Sequence, residues 1–406
     1  MLLWPVALLN YLDRQMMAAM KSSIMADVPS IALDAKWGIL LGSFKWVYAG
    51  LSPFGGYMAD RLSRRWTITI SLLVWSLVTW LTAHVNSFEQ LLATRALMGI
   101  SEACYIPAAL ALIADYHSKR TRSRAIGIHQ MAIYAGLILG GFSGYAADSP
   151  DIGWRMAFTL AGIVGIVYAF PLMLWLRDVP RSSDDALNGS TDHSAQDPVG
   201  GPPSHTRQIL QLLTNVSFWL LVAYFTLPAI AGWVVKDWMP AILKERFSLG
   251  QGQAGVSATL YVNLAALTGA ILGGVLADRW MRRSLRGRIN VSALGMLMIV
   301  PALLGIGYAN TLMIAVMFLI LFGFGWGFFD CNNMPILSQI ARPQLRATGY
   351  GIMNLISISG GGFADWIFGY LRDEKVPDSV FFTAGAAATL FSAMLVLMIR
   401  PRAELG

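Results

Sequence analysis

An aspartate and an arginine stand side by side at positions 13 and 14, within a mostly apolar stretch that runs from Leu2 to Ala26. Such a stretch reads as a membrane-spanning helix, where a charge costs at least ~2.5–3.5 kcal/mol and so needs a partner or a task. A second stretch, Leu91 to Leu112, carries Arg95 and Glu102. They are two helical turns apart and therefore face the same way. Asp13 and Arg14 are adjacent, about 100° apart around a helix, and do not neutralise one another along one face. An acid beside a cation at mid-membrane suits proton coupling. Desolvation favours the protonated carboxyl and a nearby cation the ionised one, so moving the cation changes proton affinity. On this chemistry Asp13 and Glu102 carry protons, and Arg14, with its planar fork, binds a substrate anion. Arg95 is Glu102's partner or a gate residue rather than a ligand.

Other buried ionisable and amide side chains extend the set. Lys236 and Lys21 each read either as a second anion contact or as a chain snorkelling to the outer surface. Lys45 lies well inside a span, and Asp330 lies beside a break expected at Pro335. Asp237 and Asp365 read as structural or interfacial. Asn332, Asn333 and Asn354 would hydrogen-bond substrate hydroxyls or join helices. His129 reads as a satisfied polar contact. No Walker sequence, zinc spacing or hydrolase triad is present. We expect no catalytic residue, no metal and no cofactor, the coupling ion being a proton; a sodium site would need an unwound, carbonyl-rich segment.

The elements that position these groups follow from composition. The chain has 406 residues, 56% hydrophobic and 13% charged, against about 25% charged in soluble domains. Its mean hydropathy is +0.55. Apolar runs of about 20 residues recur, each long enough to cross a bilayer. They predict an all-α membrane protein with twelve spans, at about 2–26, 37–59, 66–84, 88–114, 123–146, 155–176, 216–243, 253–277, 289–308, 311–338, 346–370 and 380–399. The net charge of +7 comes from short loops, which orientation explains better than nucleic acid does. Arginines and lysines crowd the loops after spans two, four, eight and ten, Arg342 among them, so both termini are expected in the cytoplasm. The protein is expected to be multi-pass, in a bacterial inner membrane, and monomeric. Cys104 and Cys331 both fall within spans and read as buried thiols. The chain opens almost directly into its first span, and a short native tail is expected before it.

Residues 1–178 form one six-helix half and 213–406 the other. Between them, 179–212 reads as a flexible cytoplasmic linker, since Arg181 to His205 holds Ser, Asp, Gly and Pro with little apolar content. A repeat relates the halves: Gly56, Asp60, Arg61, Arg64 and Arg65 recur as Gly274, Asp278, Arg279, Arg282 and Arg283, 218 residues later (274 minus 56). Arg124 to Gly127 is echoed by Arg346 to Gly349. Two parallel six-span halves joined this way are the signature of the major facilitator superfamily. In that loop the glycine would let helices approach, the aspartate would cap a neighbouring helix, and the arginines would bind across the cytoplasmic gate.

Within the superfamily the chain resembles the anion:cation symporters, which include hexuronate, galactonate and sialate carriers. Asn10 to Arg14 looks like that family's first-helix pattern, and Arg95 to Ala103 followed by Ile106 to Ala108 looks like its fourth. The resemblance implies Arg14 for the substrate carboxylate, Asp13 and Glu102 for protons, and Arg95 as Glu102's partner. It also implies polar pocket contacts from Tyr48 and Gln130. The function implied is proton-coupled symport of a small organic anion, a sugar acid, with the bilayer as the other partner. Spinster-type carriers share the first-helix Asp-Arg and the fourth-helix Gly-x-x-Glu-Ala, so export of a lysolipid or other amphiphile is the alternative. Lys45 and Lys236 have no place in the family pattern.

Overall fold

A bilayer offers the backbone no water, so each crossing must satisfy its own hydrogen bonds, and helices do so. The computed structural model describes residues 1–178, 210, 212–341 and 345–401, with only the backbone at 56–61, 119, 120, 123 and 347. The interhalf linker and Arg342 therefore fall outside the described residues, all but the linker's residues 210 and 212. The described chain forms α1 (Leu3–Ala19), α2 (Lys21–Asp27), α3 (Asp34–Arg61), α4 (Arg64–Thr82), α5 (Phe88–Ala103), α6 (Tyr105–Tyr116), α7 (Lys119–Asp148) and α8 (Gly153–Trp175). After the linker come α9 (Val216–Phe247), α10 (Gln251–Met281), α11 (Gly287–Tyr308), α12 (Leu312–Asp330), α13 (Asn333–Ser338), α14 (Arg346–Asp373) and α15 (Asp378–Met398). Polar side chains start several of them: Ser63, Ser87, Asn215 and Thr311 accept from the first free N–H groups of α4, α5, α9 and α12.

These helices make twelve crossings, because α1–α2, α5–α6 and α12–α13 are each one crossing broken partway. The breaks fall at Met20, at Cys104 and at Cys331–Asn332. The third precedes Pro335, which sits within the first turn of α13, where its missing N–H costs nothing. Among the described residues, eight helices are apolar and long enough to cross a membrane on hydropathy alone. The other four crossings (α1–α2, α3, α4 and α14) hold charged or hydroxyl side chains or glycines that lower their hydropathy. On α8, Leu160, Val164, Val167 and Leu174 form an exposed apolar stripe of the kind lipid covers.

The halves meet along two seams, α3 with α14 and α7 with α10, and α1 also touches α9. Each seam is tight at one end only. A Cβ on Gly38 or Gly369 would strike the facing backbone of α14 or α3, and one on Gly144 or Gly255 that of α10 or α7. At the other end of the same four helices Gly50, Gly127, Gly274 and Gly351 have nothing within 4 Å of a Cβ. The halves are therefore closed at the face bearing the loops after α2, α7, α9 and α14, and splayed at the face bearing the arginine-rich loops.

Charge holds the closed face as well as packing does. Lys21 Nζ lies 2.6 Å from Asp34 and 3.8 Å from Glu245. Arg372 reaches Asp34 at 3.3 Å, Asp378 at 3.6 Å, and Glu245. Asp373 accepts from the backbone N–H groups of Asp34 and Ala35 at 2.9 and 2.8 Å, capping α3 from the opposite half. Lys21, read from sequence as an anion contact or a snorkelling chain, is thus buried in this state and paired with carboxylates at the closed face.

On the splayed face the repeat loops keep to their own halves. Arg64 pairs with Asp115 and Arg65 reaches the Met173 carbonyl, while Asp178 accepts from Arg65 N at 2.8 Å. Asp278 pairs with Arg288 at 2.8 Å, and Arg279, Arg282 and Arg283 are exposed. Among the described residues, Arg64, Arg65, Arg279, Arg282 and Arg283 do not bind across the gate here, and Gly274 faces open space. At Gly56, Asp60 and Arg61 only the backbone is described.

Candidate substrate and coupling site

A cavity of 390 Å³ lies between the halves and receives side chains from both. From the first half come Tyr11, Arg14, Lys45, Tyr48, Arg95 and Gln130; from the second come Trp233, Lys236, Asp237, Trp326, Asp330 and Asn354. The lining therefore includes Arg14, Tyr48, Gln130, Lys236 and Asn354 among the residues expected to bind substrate.

Arg14 is the most elaborated of them. Its Nη2 lies 2.5 Å from Glu102 Oε2, and its Nε donates to the same oxygen at 2.7 Å. The rings of Tyr11, Phe44 and Tyr48 surround the guanidinium at 4.6, 4.6 and 5.1 Å from its carbon. Such faces favour a cation and hold its plane. The cage comes from α1 and α3, and the carboxylate from the end of α5, where the break at Cys104 follows.

Arg95 pairs with Asp13, not with Glu102. Its Nη1 stands 3.5 Å from Asp13 Oδ2 and its Nη2 donates to Thr82 at 3.0 Å. Two turns on one face separate Arg95 and Glu102 by ~10.5 Å along the axis, too far for side-on pairing. Each instead meets one member of the adjacent pair on α1, so α1 and α5 are crosslinked twice, with opposite polarity. Asp13, Arg95 and Glu102 are 2%, 3% and 0% exposed, so neither pair is a surface ornament.

The second half contributes a different pattern. Lys45 on α3 bonds both Asp237 on α9 and Asp365 on α14, and stands 4.5 Å from the Trp233 ring. Asp237 and Asp365, read from sequence as structural or interfacial, thus share a cation supplied by the other half. Lys236 stands 5.1 and 5.2 Å from the rings of Trp233 and Trp326, and among the described residues no carboxylate lies within ion-pair distance of it. Gln15 also crosses the halves, donating to the Lys236 carbonyl at 3.3 Å.

Asn332 and Asn333 do not line the cavity. They are 0% and 2% exposed and repair the break between α12 and α13. Asn332 donates to the Phe328 carbonyl at 2.9 Å, and Asn333 accepts from Tyr224 at 2.8 Å. His129 is held by Tyr105 at 3.0 Å, a satisfied polar contact. Sequence reasoning missed the aromatic cage and the pairing of Lys45. Part of the signal for the cage was present, since Tyr11 lies three residues from Arg14, and Phe44 and Tyr48 lie four apart on one face of α3.

Comparison with known proteins supplies the family. The Major Facilitator Superfamily profile matches residues 3–364. The probable galactarate/D-glucarate transporter GarP of Escherichia coli (strain K12) is 26% identical over 405 residues, covering 92% of this chain and 87% of that protein. Protein spinster of Drosophila melanogaster is 28% identical over 365 residues, 87% of this chain and 58% of that protein. A solved bacterial homolog of the human lysosomal transporter spinster, inward-facing and unoccupied, superposes with a TM-score of 0.75 at 21% identity, covering 98% of this chain and 94% of that one. A D-xylose–proton symporter gives a TM-score of 0.74 at 15% identity, covering 99% and 98%. The profile spans most of the chain and the solved neighbours share its fold, and the chain belongs to the Major Facilitator Superfamily, a family of membrane transporters rather than enzymes.

Proposed function

We propose that the protein is a proton-coupled symporter of a small organic anion of the sugar-acid class, working by alternating access. The observation that carries this reading is Arg14. A guanidinium caged by three rings and held by a single carboxylate, at the wall of a cavity between the halves, suits exchange of one carboxylate for another. Substrate takes Arg14, and Glu102, left without its cation in a low dielectric, takes a proton.

Charge counting supports the coupling ion. Around the cavity the cations are Arg14, Lys45, Arg95 and Lys236, and the acids are Asp13, Glu102, Asp237, Asp330 and Asp365. With four cations against five acids, an arriving anion adds to an existing excess of negative charge. Protons relieve it at least cost, because an uncompensated buried ion costs several kcal/mol. Gln130, Asn354, Tyr48 and Ser357 offer hydrogen bonds to substrate hydroxyls, within a lining that is otherwise mostly apolar. A relative that is a probable galactarate/D-glucarate transporter favours the same class. The arginine-rich face is taken as cytoplasmic by the orientation rule, which makes this state inward-open.

Counterflow in proteoliposomes tests the substrate apart from any gradient. A panel of glucuronate, galactonate, galactarate, sialate, a simple monocarboxylate and a lysolipid separates the classes. Exchange of a sugar acid is the expected result; flux of the lysolipid with silence from every acid would transfer the chain to the spinster-like alternative. Lys236, the cation that no carboxylate occupies, is the second anion contact. Lys236→Ala removes one charge-assisted bond, so the substrate Kd should rise roughly ten- to hundredfold. An unchanged Kd by isothermal calorimetry would leave Lys236 only its packing on Trp233 and Trp326.

A further inference from the structure

The bridge from Lys45 to Asp237 and Asp365 has no role in the exchange at Arg14, yet it stands where the halves must part. Lys45 belongs to the first half and both acids to the second. It lies on the α3–α14 seam, between the splayed glycine Gly50 and the tightly packed Gly42, which faces Gly362. When the closed face opens, α3 and α14 separate there and the bridge cannot survive. Lys45 and Asp237 line the cavity, whereas the Asp365 side chain is wholly buried behind them.

We propose that this trio is a second proton site and a concealed anion site: protonation of Asp365 frees Lys45, which then meets the substrate anion entering from the face that is closed here. In the closed state two carboxylates cover one ammonium, so an anion finds Lys45 already occupied. Parting them as ions would strand a carboxylate against the apolar seam, at a cost of several kcal/mol. Water entering through the opening face supplies the alternative. A hydronium gives its proton to Asp365 Oδ2, the N–H···O bond to Lys45 breaks, and Lys45 keeps its three N–H groups and its charge.

The charged groups facing Asp365 are few. Lys45 comes from α3 and Asp237 from α9, with Lys236 next along α9; on α14 itself Arg372 and Asp373 lie about 12 Å nearer the closed face, engaged with Asp34. Asp237 faces the cavity, where water reaches it once the halves part, while among the described residues Asp365 is wholly buried with no cation but Lys45. Only the deeper acid therefore needs the proton.

This inference rests on the symport reading, and it adds one proton to the one assigned to Glu102. A monoanion would then travel with two protons and carry net positive charge. In proteoliposomes with no pH gradient, a potassium diffusion potential should drive wild-type uptake of whichever sugar-acid monoanion counterflow identifies. Asp365→Asn mimics the protonated acid; it should keep exchange and lose the response to potential. A variant as responsive as wild type, or a wild type indifferent to potential, overturns the proposal. The gate is measured without substrate by spin labels replacing the exposed Leu33 and Glu374, one on each half at the closed face, with Cys104 and Cys331 replaced by serine. Acidification should lengthen the label distance in wild type, and Asp365→Asn should be lengthened already; an unchanged distribution in Asp365→Asn overturns the latch. If wild type exchanges no acid in the panel, the symport reading fails, while the distance measurement still decides the latch.

Discussion

Arg14→Ala abolishes sugar-acid counterflow and raises the substrate Kd by at least ~100-fold. Each bond from a charged donor contributes about 1.5–3 kcal/mol, and a carboxylate on a guanidinium takes two of them, which together span roughly two to four decades of affinity. The cage adds to that, since Tyr11, Phe44 and Tyr48 would face an alanine methyl in place of a cation. The variant also strips Glu102 of its partner, and the buried carboxylate then takes a proton rather than remaining charged. Loss of transport therefore has to be separated from loss of fold. Arg14→Lys serves as the control: it keeps the charge and the contact with Glu102 but loses the fork. Binding should weaken about tenfold in it rather than vanish. Wild-type affinity in Arg14→Ala, in protein whose thermal unfolding matches wild type, would end the proposed role of Arg14.

What could be read from the chain, and what could not, divides along a physical line. Charged residues within apolar runs are visible without coordinates because their insertion cost is a property of the residue and its neighbours in sequence. Asp13, Arg14, Arg95 and Glu102 were found that way, and the repeat at Gly56 and Gly274 marked the two halves. Pairing is another matter. Periodicity sets which face of α5 holds Arg95 and Glu102, but not the axial register of α1 against it, and register gave Arg95 to Asp13. The partners of Lys45 are 192 and 320 residues away on two further helices, and no local pattern joins them. The break at Met20 lacks a proline, so nothing local announces it, whereas the break at Cys104 precedes Pro107 as the third precedes Pro335. Asn332 and Asn333 look like ligands in a list of polar residues; the break beside them turns their hydrogen bonds inward. A residue's type can be read along the chain, whereas its partner is a property of the packing.

Glu102→Gln keeps counterflow and loses the Glu102 share of accumulation. Glutamine has nearly the shape of the protonated acid, and its amide oxygen still accepts from Arg14, so the cage and the cavity wall stand. What it lacks is a proton to lose. In wild type the carboxylate and the substrate compete for Arg14, so the substrate binds more weakly as pH rises and the carboxylate reclaims the arginine. A single competing proton limits that slope to tenfold per pH unit. In the variant the competitor is always neutral, so the Kd should be flat across the same range and close to the wild-type value at low pH. With proton release abolished at this site, an imposed pH gradient has nothing to act on there. Under an imposed pH gradient the limiting accumulation should fall from the square of the proton ratio to its first power, set by the proton left at Asp365, while exchange of labelled for unlabelled substrate persists within a few-fold of wild type. Accumulation undiminished from wild type would make the Arg14–Glu102 pair a structural clamp, and its coupling proton would then have to be sought at Asp13, the other α1 side of this double crosslink.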